Sequence, residues 1–100
     1  MNLAELRRSV AEDSAPPEGL SGPLAGLWWQ AQGEWDWAHS IVQAGSGSEA
    51  AWVHALLHRE EGDLGNAGFW YNRAGRRMPD NTLDEEWARI ATELLEQEGG

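Results

Sequence analysis

Residues 48–81 read SEAAWVHALLHREEGDLGNAGFWYNRAGRRMPDN, and this stretch decides the fold. Its 34 residues give one helix, a Gly-Asp turn, a second helix and a closing proline. Ala51, Ala55 and His58 recur along one side of the first segment at helical spacing. Gly62 ends that segment, because glycine reaches the left-handed backbone that closes a helix. Asp63 is suited to cap the helix that follows. This second helix is expected to run to about Arg77, where Met78-Pro79-Asp80-Asn81 stops it. No alternating strand pattern competes.

Working outward, an earlier hairpin echoes the later one. Gly26, Gly33 and Ala38 each lie 29 residues before Ala55, Gly62 and Ala67. Ser21 followed by Pro23 suits a helix start, giving helices from about Pro23 to Gln32 and from Trp35 to Ala44. Gly45-Ser46-Gly47-Ser48 makes a turn in which Ser46 and Glu49 have capping-box spacing. Residues 20–47 therefore read as a shortened copy of 48–81. Upstream, residues 2–13 carry Leu3, Leu6 and Val10 on one helical face, and Glu12 to Gly22 forms a Pro/Gly linker. Downstream, Thr82 with Glu85 predicts a further capping box that opens a last helix to about Gln97. Its apolar face is Leu83, Trp87, Ile90, Leu94 and Leu95. The expected organisation is an N-terminal helix and linker (1–22), two hairpins (23–81) and a C-terminal helix and tail (82–100).

Composition narrows the function classes. Seventeen acidic residues against seven basic ones give a net charge of −10, and every base is arginine. Such a surface repels phosphate backbones and argues against nucleic acid. The absence of cysteine removes disulfides, thiol catalysis and thiolate zinc sites together. No apolar run is long enough for a membrane span, and the N-terminus lacks the apolar core of a signal peptide. A cytoplasmic location is the expectation. The serines fit no nucleophile elbow, and the glycine-rich turn at 45–48 has no lysine for a phosphate loop. Seven tryptophans in 100 residues supply large core side chains, and any left outside suit an interface.

The segment Ser48 to Asn81 resembles a tetratricopeptide repeat, and Leu20 to Gly47 resembles a degenerate one. Ala55 stands at the small position of the first helix. Ala67, Tyr71, Ala74 and Pro79 match the alanines, aromatic and final proline of the second. His54 and His58 depart from the pattern, replacing a leucine and an aromatic. The run from Trp52 through Tyr71 is also similar to a group of small bacterial proteins with no known activity. The resemblance implies an all-α fold of two stacked hairpins with N- and C-terminal capping helices. It also implies a concave groove that holds a peptide or partner helix. By register the groove would be lined by Trp52, Leu56, Arg59 and Glu60, with Leu27 and Gln30 beside them. On this reading the protein is a non-enzymatic interaction module needing no cofactor. Its apolar end faces also allow self-association.

The histidines form the rival signal. His54 and His58 are four apart on one helix and share a face. His39 and His54 lie equally far from the centre of the 45–48 turn, so antiparallel helices bring them level. Three imidazoles so placed suit a zinc-type site with an open fourth position. Ordinary hydrogen-bonded packing of neutral histidines is the competing reading. Glu60 and Glu61 are expected to point away from His58.

Overall fold

The computed structural model describes residues 1–99, which form six α-helices and no strand. They are α1 (Leu3–Glu12), α2 (Gly22–Ala31), α3 (Trp35–Ala44), α4 (Ser48–Glu60), α5 (Leu64–Ala74) and α6 (Leu83–Gly99). Among the described residues no helix is long and apolar enough to cross a membrane.

Short-range chemistry explains most boundaries. The Ser21 side chain accepts from the Leu24 amide at 3.3 Å, and Asp63 accepts from the Asn66 amide at 3.2 Å. Thr82 and Glu85 close the expected reciprocal box, with bonds of 3.0 and 2.9 Å. Asn2 and Glu5 make a similar box at the start of α1, which the sequence pattern did not single out. Gly33 and Gly62 both adopt positive φ, 84° and 83°. In each turn the residue after the glycine donates back five residues: Glu34 to the Trp29 carbonyl, Asp63 to that of His58.

Two expected boundaries change. The Ser46–Glu49 box does not form. Gly47, at φ 95°, occupies the cap position, and no side chain bonds there. Likewise α5 stops at Ala74 rather than Arg77. Gly75 takes the left-handed conformation and Arg76 donates to the Tyr71 carbonyl, which closes the helix earlier.

Helix α4 is the central element. Every residue from Ala50 to His58 is buried, so the helix is covered all round. It packs against α5, α3, α2 and α6, while α2 packs against α3 and α1 against α2 and α6. One apolar core draws residues from all six helices, including Leu6, Trp28, Val42, Leu57, Tyr71 and Ile90. Gly26 lets α2 approach α3 closely, since a Cβ there would stand 2.7 Å from Val42 Cγ1. Trp28 and Trp87 have their ring nitrogens satisfied inside, by Ser9 Oγ and the Leu27 carbonyl, both at 3.0 Å. Trp37 remains 60% exposed, stacked on Trp29.

Candidate metal centre

Helices α3 and α4 are joined by three residues, Gly45 to Gly47, so their facing sides run level. His39 on α3 meets His54 on α4 with 3.1 Å between their Nε2 atoms. His58, one turn further along α4, closes the group. One ring nitrogen from each of the three lies within 4.8 Å of the others. His54 and His58 are buried at 3% and 6% exposure, and His39 is half-buried. Solvent therefore reaches the group on the α3 side.

Two tryptophans wall the cluster. Trp35 stacks on His39 with ring centres 4.8 Å apart and stands edge-on to His58. Trp70 stacks on His54 at 3.8 Å. Trp35 is itself anchored by donating from Nε1 to the Leu57 carbonyl at 2.8 Å. Glu61 does not point away as the sequence reading expected. At the C-cap of α4 it turns back, and its Oε1 lies 2.7 Å from His58 Nδ1. That contact leaves Nε2 as the His58 nitrogen free for ligation. A carboxylate holding the second nitrogen of a ligating imidazole is the usual support around a bound metal. Asp63 lies close by, within reach of the same His58–Glu61 pair.

The electrostatics suit cation binding. Burial, with the neighbouring His39 and His58 adding to it, lowers the His54 pKa to about 4. Burial and His58 lower His39 as well, against the opposing pull of Glu61 and Asp36. Both rings are thus neutral near pH 7, the form that presents a lone pair. Zn–N bonds of about 2.0–2.1 Å in a tetrahedron place ligand nitrogens about 3.3 Å apart. The His39–His54 spacing already meets this. Any wider pair, at no more than 4.8 Å, closes by about 1.5 Å at most, within reach of an imidazole rotation.

The residues expected to face a groove are placed differently. Leu27 and Leu56 are fully buried, and Trp52 is 4% exposed beneath the Arg76 guanidinium, 3.4 Å from its ring centre. Helix α6 lies against α2 and α4, covering the side on which these residues project. Arg59 bonds the carboxylate of Glu86 at 2.7 Å, the Asn81 side chain at 3.1 Å and the Asn81 carbonyl. Glu86 is 2% exposed and accepts from the Tyr71 hydroxyl at 2.6 Å. Burial opposes the Arg59 charge, but the hydrogen bond and charge of Glu86 outweigh it and hold the pKa high. Burial and Glu86 likewise push the Tyr71 phenol up, so it stays a donor. Glu60 is exposed and Gln30 half-buried. They bond each other at 3.1 Å and border an open depression of about 540 Å³ with Arg7, Asp84 and Trp87.

Trp35, Trp70 and Glu61 were not singled out from the sequence as parts of a site. Trp35 precedes His39 by four residues and Glu61 follows His58 by three, spacings that put each pair on one helix face. No family model, curated protein or solved structure matches the chain.

Proposed function

We propose that this protein is a small binder of a divalent transition metal, held by His39, His54 and His58. The observation that carries this reading is the convergence of three imidazoles on one point, with Glu61 hydrogen bonded to the outer nitrogen of His58. Neutral nitrogen donors favour zinc, copper or nickel over calcium or magnesium. The role proposed is binding of the ion, with Trp35 and Trp70 stacked on the His39 and His54 rings to hold those imidazoles in place. The supporting scaffold is read as two tetratricopeptide-like hairpins, α2–α3 and α4–α5, with α1 and α6 as caps. The matching turns at Gly33 and Gly62 and the close α2–α3 approach at Gly26 favour it.

Titration calorimetry of the chelator-treated protein with Zn²⁺ tests this, with His39→Gln as the comparison because that ring is only half-buried, and circular dichroism checks that the variant is folded. One equivalent of zinc binds the wild type and raises its stability by about 2.7 kcal/mol at 100 times Kd. Unchanged affinity in the variant would refute the site.

A second reading keeps a partner segment. It rests on the depression between α1, α2, α4 and α6, where Gln30 and Glu60 offer polar groups beside Trp87. Replacing Glu60 by Arg would abolish capture of such a partner and leave metal binding intact.

A further inference from the structure

The arginines of this acidic chain are gathered unevenly. Of seven, three (Arg76, Arg77 and Arg89) line one cleft where the end of α5, the 75–82 connection and α6 come together, and a fourth, Arg59, bonds Asn81 and Glu86 of its wall. The cleft encloses about 330 Å³, at the small end of ligand pockets. Two carboxylates answer these four guanidiniums. Glu86 is consumed by Arg59 and Tyr71 within the core. Glu93 is shared, bonding Arg76 at 3.1 Å and Arg89 at 3.2 Å. Among the described residues Arg77 has no ion pair. The cleft is thus locally cationic in a protein of net charge −10.

The cleft is also organised. The Arg76 guanidinium sits over the Trp52 ring, its Cζ 3.4 Å from the ring centre, a contact that holds it at the cleft wall. Arg76 and Arg89 spend one donor group each on Glu93, and a guanidinium carries five N–H groups. Asn81 accepts from Arg59 through its side-chain oxygen, so its amide nitrogen remains a donor at the cleft wall. Gly75 and Pro79 line the same wall without adding a competing acceptor side chain.

We propose that this cleft is a binding site for a small phosphate monoester, its phosphoryl group seated between Arg76, Arg77 and Arg89. Three guanidiniums, two from the 75–82 connection and one from α6, suit a tetrahedral dianion, whose oxygens diverge, better than a planar carboxylate. The surrounding negative surface excludes polyanions such as nucleic acid, so a small ligand is selected. The site lies apart from the histidine centre and shares no residue with it.

The test is calorimetric titration of the full-length protein, at low salt in a phosphate-free buffer, with methyl phosphate, inorganic phosphate and acetate. Methyl phosphate and inorganic phosphate saturate the wild type, and acetate binds about tenfold more weakly. Arg77→Gln and Arg89→Gln each weaken phosphate about tenfold, while Arg8→Gln, outside the cleft, changes nothing. Both cleft positions are exposed, and circular dichroism confirms that the variants are folded. Absence of saturable phosphate binding, equal affinity for acetate, or equal losses in all three variants would each overturn the proposal.

Discussion

If Arg59 is an internal structural residue rather than a surface recognition residue, removing it has a large effect on stability. Its guanidinium is 15% exposed and the Glu86 carboxylate 2% exposed, with 2.7 Å between them. Breaking a buried pair by deleting one partner costs about 3–5 kcal/mol, because the other charge stays behind without compensation. The remaining exposure of Arg59 puts the expected loss for Glu86→Gln near the lower end, about 3 kcal/mol. Arg59→Met strands a carboxylate that only Tyr71 still bonds, and costs about the same. For a domain of this size that is a fall in Tm of roughly 12–24 °C. Urea unfolding followed by far-ultraviolet circular dichroism reads the change. The double variant carries the further expectation: with both charges gone and Gln still accepting from Tyr71, its loss is smaller than the two single losses together by about 2 kcal/mol. A loss below about 0.5 kcal/mol in Arg59→Met, the value for an ordinary surface position, would refute the reasoning and return Arg59 to the surface.

Three other outcomes follow from the same geometry. Gly68→Ala on α5, where an added Cβ meets nothing within 4 Å, raises stability by about 0.5–1 kcal/mol in the same urea assay. Gly26→Ala lowers it by about 1–2 kcal/mol, since the new methyl group drives into Val42 on a packed helix pair and overpacking outweighs the helix preference. Stability of the metal-free protein falls with acid between pH 6.5 and about 4. The folded state holds His54, and in the same direction His39, below the ordinary histidine range, so the unfolded chain takes up protons first. His58, Glu61 and Asp36 face the same cluster, and the two carboxylates moderate the effect on His39. The His54 contribution is at most about 3 kcal/mol; it is fully lost below about pH 4 and absent as a penalty above pH 6.5. A flat stability profile across that window would contradict the burial of neutral imidazoles.

Much of the architecture is legible from local signals. Helix α3 runs from Trp35 to Ala44 as its pattern indicates, and the Thr82–Glu85 box forms. The 29-residue echo corresponds to two turns with the same hydrogen bonding. The levelling of His39 with His54 follows from counting outward from one turn. What local pattern does not carry is contact between distant segments. Trp87 bonds the Leu27 carbonyl across 60 residues, and with it α6 covers the side of α2 and α4 that a repeat register leaves open. Nothing near Trp52 in the sequence announces that Arg76 will lie on its face. Glu61 was misplaced because helical register gives the direction of the Cα–Cβ bond only. At a C-cap, side-chain rotation brings the carboxylate back to His58. Gly75 was overlooked as the end of α5 because Pro79, four residues later, offered a stronger stop.

X-ray absorption at the zinc edge, on protein loaded with one equivalent of Zn²⁺, examines the histidine centre most directly. Three imidazole nitrogens at about 2.0 Å, with an oxygen ligand such as water in the fourth position, are the expected first shell. The His39→Gln variant loses one imidazole from that shell. A shell of oxygens alone, or one with fewer than three imidazoles in the wild type, would contradict metal binding by His39, His54 and His58.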